Sequence, residues 1–272
     1  MDVDGLLLQN KASSWKKLLK SPLPDVQSLA IEQLRRAGAL SSADLLRIYR
    51  ESPYGVVRLE ALMALSATPV NHFITAVTEA SQDAYELVQR QAIRFIAKNG
   101  DRRLIPALIR LSIANNTSDR CNFNVMTALA CFPKEDLLAE FDRQFDAPSV
   151  QYLDKNNLRG KIRNTIAHSA DRLTTDIDKV VKGEASEKDR TFTIRALRNT
   201  LPHHKVPELL VYLQDCGDGN TQILLLEALG WHTVSCHAAD IAATALKMSE
   251  DASLPNTVRQ EALKTYRRIH EK

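Results

Sequence analysis

Tyr54 to Leu65 reads YGVVRLEALMAL, and within it Val57, Ala61, Leu62 and Leu65 fall on one stripe at helical spacing. With Ala61 as a marker, comparable positions recur at Ala30, Ala92, Val125, Ile162, Thr193, Leu225 and Ala262, in steps of 31, 31, 33, 37, 31, 32 and 37 residues. A period of this length, held across nearly the whole chain, predicts an all-α solenoid in which each repeat is a helix pair. The expected layout is one domain over 1–272. Residues 1–22 form an N-terminal capping helix and 23–250 carry the pairs, with an inserted loop at 146–157; 251–272 form a C-terminal capping helix.

Bulk composition narrows the function without naming it. The chain has 272 residues, 44% hydrophobic and 25% charged, with aromatics at only 6%, which is ordinary globular usage and favours helix over strand. A net charge of +3 falls short of the concentrated positive charge of a dedicated nucleic-acid binder. The N-terminus, MDVDGLLLQNKASSWKK, starts acidic and has only Leu6, Leu7 and Leu8 as an apolar run, unlike a signal peptide. The most apolar later stretch, Ile223 to Trp231, is interrupted by Glu227 and is too short to span a bilayer. Cys121, Cys131, Cys216 and Cys236 show no CxxC spacing and read as small buried hydrophobes of a reducing compartment. A cytoplasmic location is expected, either as a free protein or as the cytoplasmic part of a larger membrane-anchored one.

The helix boundaries follow from the breakers. Ser21, Pro22 and Pro24 close the first cap, Gly38 closes helix A of the first pair, and Asn99-Gly100 closes helix A of the third. Pro69 and Pro133 separate the partners of the second and fourth pairs. The fifth pair is read as Leu158 to Ser169 with Arg172 to Lys182. Pro106 and Pro207 both lie fourteen residues after their markers, in the first turn of helix B, where the missing N–H does no harm.

Alignment on the marker exposes two polar columns. Three residues before each marker stand Gln27, Arg58, Gln89, Asn122, Arg159, Arg190, Gln222 and Arg259, all amide or guanidinium side chains. Six residues before it stand Pro24, Gly55, Glu86, Asp119, Asn156, Glu187, Gly219 and Asn256, read as the N-cap position because five of them can accept a hydrogen bond.

At this point the chain resembles a known family. Val57-Arg58 followed by Ala61-Leu62, Val258-Arg259 followed by Ala262-Leu263, and the run Leu104-Ile105-Pro106-Ala107-Leu108 are similar to HEAT repeats, particularly the short bacterial kind called PBS-lyase HEAT-like repeats. The likeness runs from about Leu23 to Ile269 and implies a right-handed α-α superhelix of about seven helix pairs. It also implies that Arg58, Arg159, Arg190 and Arg259 form a structural ladder between neighbouring repeats, with uncharged rungs at Gln27, Gln89, Asn122 and Gln222. Function is not implied, since one fold hosts many jobs.

Catalytic signatures are sparse. There is no GxSxG, HExxH or Gly-rich phosphate loop. His232, Cys236 and His237 have a metal-like spacing, yet they flank an expected turn and lack a second ligand pair, so neither a metal nor a cofactor is expected. Deoxyhypusine hydroxylase, a HEAT-repeat metalloenzyme, carries repeated His-Glu pairs, whereas here only His270-Glu271 occurs, at the chain end. Nothing marks a pigment site of a bilin lyase. The expectation is a non-enzymatic scaffold that binds another protein on the concave helix B face, through Arg47, Arg50, Arg103, Arg110, Lys205 and Tyr212, and through Tyr152 in the inserted loop. The alternative is a nucleic-acid-binding or DNA-repair protein of the alkylpurine glycosylase kind, which needs a basic groove and aromatics; Trp15 and Trp231 fall in the N-terminal cap and the seventh expected repeat, too far apart in that layout to share a pocket.

Overall fold

The structure is a computed structural model, and it describes residues 12–66, 70–117, 123–145 and 155–270. Among these there are 15 α-helices and no strand. Contacts divide the chain into two compact units, Met1–Phe95 and Ile96–Lys272. Within the described residues the first unit holds α1 (Ala12–Leu18), α2 (Pro24–Arg36), α3 (Ser42–Glu51), α4 (Gly55–Leu65), α5 (Val70–Ala80) and most of α6 (Glu86–Asn99). The second holds the end of α6, then α7 (Ile105–Thr117), α8 (Phe123–Leu129), α9 (Lys134–Phe145), α10 (Lys155–Val181), α11 (Glu187–Leu197), α12 (Val206–Asp215), α13 (Gly219–Leu229), α14 (Ala238–Glu250) and α15 (Asn256–His270). No described helix is long and apolar enough to cross a membrane.

In the first unit, alternate helices are neighbours: α2 packs on α4 and α3 on α5. The apolar stripe of the opening stretch explains why, because Val57, Ala61, Leu62 and Leu65 are all buried in α4. Ser41 starts α3 with a capping box, its hydroxyl accepting from the Asp44 N–H at 3.1 Å while the Asp44 carboxylate takes the Ser41 N–H. Gly38, at φ +62°, ends α2 in the left-handed region. The polar column then closes the helix ends. Gln27 donates to the Ser21 carbonyl at 2.5 Å, Gln89 to Ser81 at 3.1 Å, and Arg58 to Ser52 at 3.1 Å. Each is a carbonyl just past the preceding helix, one of the acceptors a helix cannot satisfy by itself. Arg58 also grips Asp83 with two bonds, of 2.8 and 2.7 Å, and Tyr49 donates to the same carboxylate at 3.1 Å. Burial pushes Asp83 up, but Arg58, the Tyr85 N–H and Tyr49 hold it below the usual carboxylate range.

The second unit repeats the alternation, with α11, α13 and α15 in one row and α10, α12 and α14 in another. It departs from the expected plan in two ways. The fifth pair is not a pair: α10 is one helix of 27 residues, about 40 Å at 1.5 Å per residue. Its buried positions Ile162, Ile166, Ala170, Leu173, Ile177 and Val180 continue at steps of three and four straight through the expected break, and no Gly or Pro lies between Ser169 and Arg172. With the apolar stripe unbroken, nothing there stops the helix. Of the expected inserted loop, 155–157 already belong to α10, and 146–154 lie outside the described residues.

The second departure concerns range. A stack of repeats predicts contacts between neighbours, yet here helix ends far apart in sequence meet. The Cys236 N–H donates to the Asn99 carbonyl at 2.7 Å, the Asn99 side-chain amide to Val234 at 2.9 Å, and the His203 N–H to Cys131 at 3.0 Å. His203 is buried, with Nε2 donating to the Ala97 carbonyl at 2.8 Å and Nδ1 accepting from the Ser235 hydroxyl at 3.0 Å. Buried His232 donates through Nε2 to the Leu197 carbonyl at 2.6 Å, and the two rings meet edge to face at 6.4 Å. Gly100 makes the close approach possible: at φ +71° it carries no Cβ, and a Cβ there would stand 2.0 Å from the His203 ring.

The expected N-cap column also lies one place inside. Pro24, Gly55, Glu86, Glu187, Gly219 and Asn256 are first helical residues, and the caps that precede α2, α4, α11 and α13 are Leu23, Tyr54, Ser186 and Asp218. Only Ser186 and Asp218 of these four cap through the side chain, which is why oxygen chemistry in the column misplaced the boundary. Asp119 of the same column lies outside the described residues.

Candidate functional site

The face that stands out is the exposed side of α11. Ser186 fixes its start by accepting from the Asp189 N–H at 3.2 Å, and Thr193, Ile194 and Leu197 turn inward. That leaves Phe192 pointing outward with 75% of its surface exposed. Two clefts open beside this ring. One, of about 470 Å³, is lined by Asp176, Lys179, Glu184, Ala185 and Asp189 with Phe192, and the other, of about 510 Å³, by Glu187, Lys188, Thr191 and Arg195 with Phe192. A third, of about 380 Å³, continues past Arg195 and Arg198 to Leu224, Glu227 and Ala228 on α13.

At the far end of this groove Trp231 is 45% exposed. The Arg198 guanidinium carbon lies 4.5 Å from the indole centroid and that of Arg268 lies 4.9 Å away, both within cation–π range. Arg268 fits because Gly230 leaves room; a Cβ there would come within 2.9 Å of its Nη1. Arg198 also pairs with Glu227 at 3.6 Å. The histidine ties set this end, since Leu197 and His232, joined at 2.6 Å, are the chain neighbours of Arg198 and Trp231. The groove therefore runs from a mainly acidic end at Asp176, Glu184, Glu187 and Asp189 to a basic end at Arg195, Arg198 and Arg268.

No protein-family model and no curated protein matches the chain.

The helix B residues expected to meet a partner are mostly engaged with their own neighbours. Arg47 pairs with Asp44 at 3.2 Å and Arg50 holds Glu79 with bonds of 3.0 and 2.5 Å. Arg103 folds back on Asp101 at 2.6 Å. The other three are half-buried rather than exposed. Lys205 lies between Asp178 at 2.7 Å and Glu208 at 3.0 Å, and Arg110 has its Nε buried without a hydrogen-bond partner. Tyr212 is half-buried, and burial raises its phenol above the ordinary value while the charge of Arg190 opposes the rise. Tyr152 lies outside the described residues.

The arginine column has mixed roles. Arg58 bridges Ser52 and Asp83, Arg159 meets Asp142 at 2.9 Å and Arg190 meets Asp218 at 3.5 Å. Arg259 has a buried Nε without a hydrogen-bond partner, and its charge joins the Ser253 hydrogen bonds in holding Asp251 below the usual range. Among the uncharged members Gln222 donates to the Leu213 carbonyl at 3.1 Å, while Asn122 lies outside the described residues. The metal-like trio is spent elsewhere: His232 on Leu197 and His237 on Asp240 at 3.1 Å. Among the described residues no three His, Cys, Asp or Glu side chains gather as ligands.

Phe192, Arg195 and Arg198 were not legible as a site from the period alone. The available signal was small. Phe192 stands one place before a marker, where Glu60, Gln91, Asn124, Lys161 and Glu261 stand in five other repeats and Leu29 and Leu224 in two, so it is the one aromatic of a mostly polar column.

Proposed function

We propose that this chain is a HEAT-type α-α superhelix that acts without catalysis as a cytoplasmic docking platform for protein. The period and the side chains that close the preceding helix ends support the solenoid. The observation that carries the function is the groove on α11 and α13, with Phe192 and Trp231 exposed between arginines. Aromatic and arginine side chains beside clefts are the groups that dominate protein interfaces when they become desolvated. The binding face on this reading is the α11 side rather than helix B.

Nucleic acid fits the groove less well. Its backbone is negative throughout, and the groove changes sign along its length. Affinity capture from native lysate tests the reading, with nuclease treatment and raised salt, comparing the wild type with Phe192→Ser/Trp231→Ser and with Arg47→Glu/Arg103→Glu/Arg110→Glu. A discrete protein that survives nuclease and is lost only from the aromatic pair supports the groove. Loss only from the arginine triple moves the site back to helix B, and recovery of nucleic acid alone overturns the protein-platform reading.

A further inference from the structure

Residues 230–237, which join α13 to α14, form a strap fastened to distant stretches of the same unit. The Cys236 N–H and the Val234 carbonyl bond to Asn99 at the end of α6, His232 reaches Leu197 at the end of α11, and the Ser235 hydroxyl reaches His203 between α11 and α12. The only buried side chains of the strap are those of His232 and Ser235, 3% and 7% exposed. Trp231 and Cys236 are exposed, and Thr233, Val234 and His237 are half-buried. With no apolar side chain of its own fully buried, the strap is held mainly by hydrogen bonds.

That hold depends on two neutral imidazoles. The Nε2–H of His232 donates to Leu197, and among the described residues its Nδ1 has no hydrogen-bond partner. An imidazole kept only for structure would have both nitrogens paired, as His203 has. An imidazolium carries an N–H on both nitrogens, so a proton taken up at Nδ1 of His232 puts a full charge and a donor without an acceptor into a buried site. For His203 the Ser235 hydroxyl can turn to accept, and the cost is that of the buried charge. The charges around the rings add to it: Lys98 at the end of α6 bears on His232, and His204 of the linker and His237 of the strap bear on His203. The carboxylates by the strap, Asp101 and Asp240 beside Cys236, are engaged by Arg103 and His237, and Glu227 is engaged by Arg198. Lys205, next in the linker, is held between Asp178 and Glu208. We infer that 230–237 is a proton-operated clasp, held shut on α6 and α11 by neutral His232 and His203 and released when the two rings take up protons, while the apolar core of the unit stays folded. Unfolding the whole unit requires that core to part, whereas opening the clasp breaks polar ties and wets two imidazoles. The clasp stands independently of what the platform binds.

The test is amide hydrogen exchange of the full chain, resolved by NMR from pH 7.5 to 5 and corrected for intrinsic rates. The reporters are the Cys236 amide, bonded to Asn99, and the amide of Leu225 in the core of α13. Above about pH 6.5 the opening at Cys236 should not change. Below it, each pH unit should favour opening by up to about tenfold for one ring and about a hundredfold for both, with Leu225 still protected. His232→Gln keeps a donor for Leu197 and cannot take up a proton, so it should cut the dependence to about tenfold per unit, while His237→Gln leaves it as in wild type. Protection at Cys236 that does not vary with pH overturns the clasp, as does loss at Leu225 in step with Cys236, or a His232→Gln slope equal to wild type. If His232→Gln fails to fold, the ring signal of wild-type His232 decides: it should move to the protonated position in step with the opening at Cys236, and a ring that protonates while Cys236 stays protected overturns the inference.

Discussion

The two units fasten their helix ends by different chemistry. The first uses charge close at hand: Arg58 spans from the Ser52 carbonyl to Asp83, and Tyr49 completes the cluster. The second uses neutral, buried imidazoles and an asparagine to tie helix ends up to 135 residues apart. Local ties are made one repeat at a time, whereas long-range ties form only once several helices are in place, so the second unit should fold and fail more as a whole.

The harshest blow to that contrast is Gly100→Ala. It places a methyl 2.0 Å from the His203 ring and forces a left-handed residue to carry a side chain. A loss on the order of 4 kcal/mol is expected in urea unfolding of the second unit. Gly183→Ala, at φ +73° but with nothing within 4 Å, should cost only about 1–2 kcal/mol, which separates the clash from the backbone strain.

Acid should come next. Burial, opposed by the Ala97 hydrogen bond and reinforced by His232, His237 and His204, pulls His203 down to about 4, and burial lowers His232 as well. A histidine held below its unfolded value near 6.5 gives its full stability above that pH and loses it as the pH falls toward the folded value. For His203 the amount is on the order of 3 kcal/mol between pH 6.5 and 4. In the first unit the only histidine, His72, is exposed, and Asp83, being lowered, gives up its stability only as the pH drops through its folded value, below 3.8. Hydrogen exchange at pH 7 and 5, corrected for intrinsic rates, should show protection falling at 97–100 and 232–236 while α4 holds; uniform loss would erase the distinction.

A gentler perturbation is Arg58→Met, which strands the mostly buried Asp83 carboxylate and should cost about 2–3 kcal/mol, read as a thermal shift confined to the first unit. Gln222→Met in the second unit removes one neutral bond to Leu213 and should cost about 1 kcal/mol. Arg47→Glu, at an exposed i,i+3 pair, should leave the melting temperature within about 1 °C of wild type.

Much of the helical layout was readable because amphipathic period and breakers are local facts: the α2 end at Gly38, the Pro207 entry to α12 and the buried face of α4 all lie where the sequence puts them. What was not readable is what the repeat does not carry. A period says which residue follows which stripe, so it split α10 where the stripe runs on, and it had no means of pairing Asn99 with Val234. Asn99-Gly100 reads as a stop signal and is also an anchor. The site escaped for the opposite reason, since Phe192 is an exception to the pattern, and averaging over repeats hides exceptions.

The two tryptophans give the molecule its own optical readout. Trp15, 7% exposed against Ala30 and Leu34, and Trp231, 45% exposed beside two guanidinium groups, are the only indoles in the chain, one in each unit. Their emission should separate, blue from the enclosed ring and red from the wetted one. Unlabelled protein thus signals each unit in its own band, and a partner docking over the α11 groove should shift the red band alone.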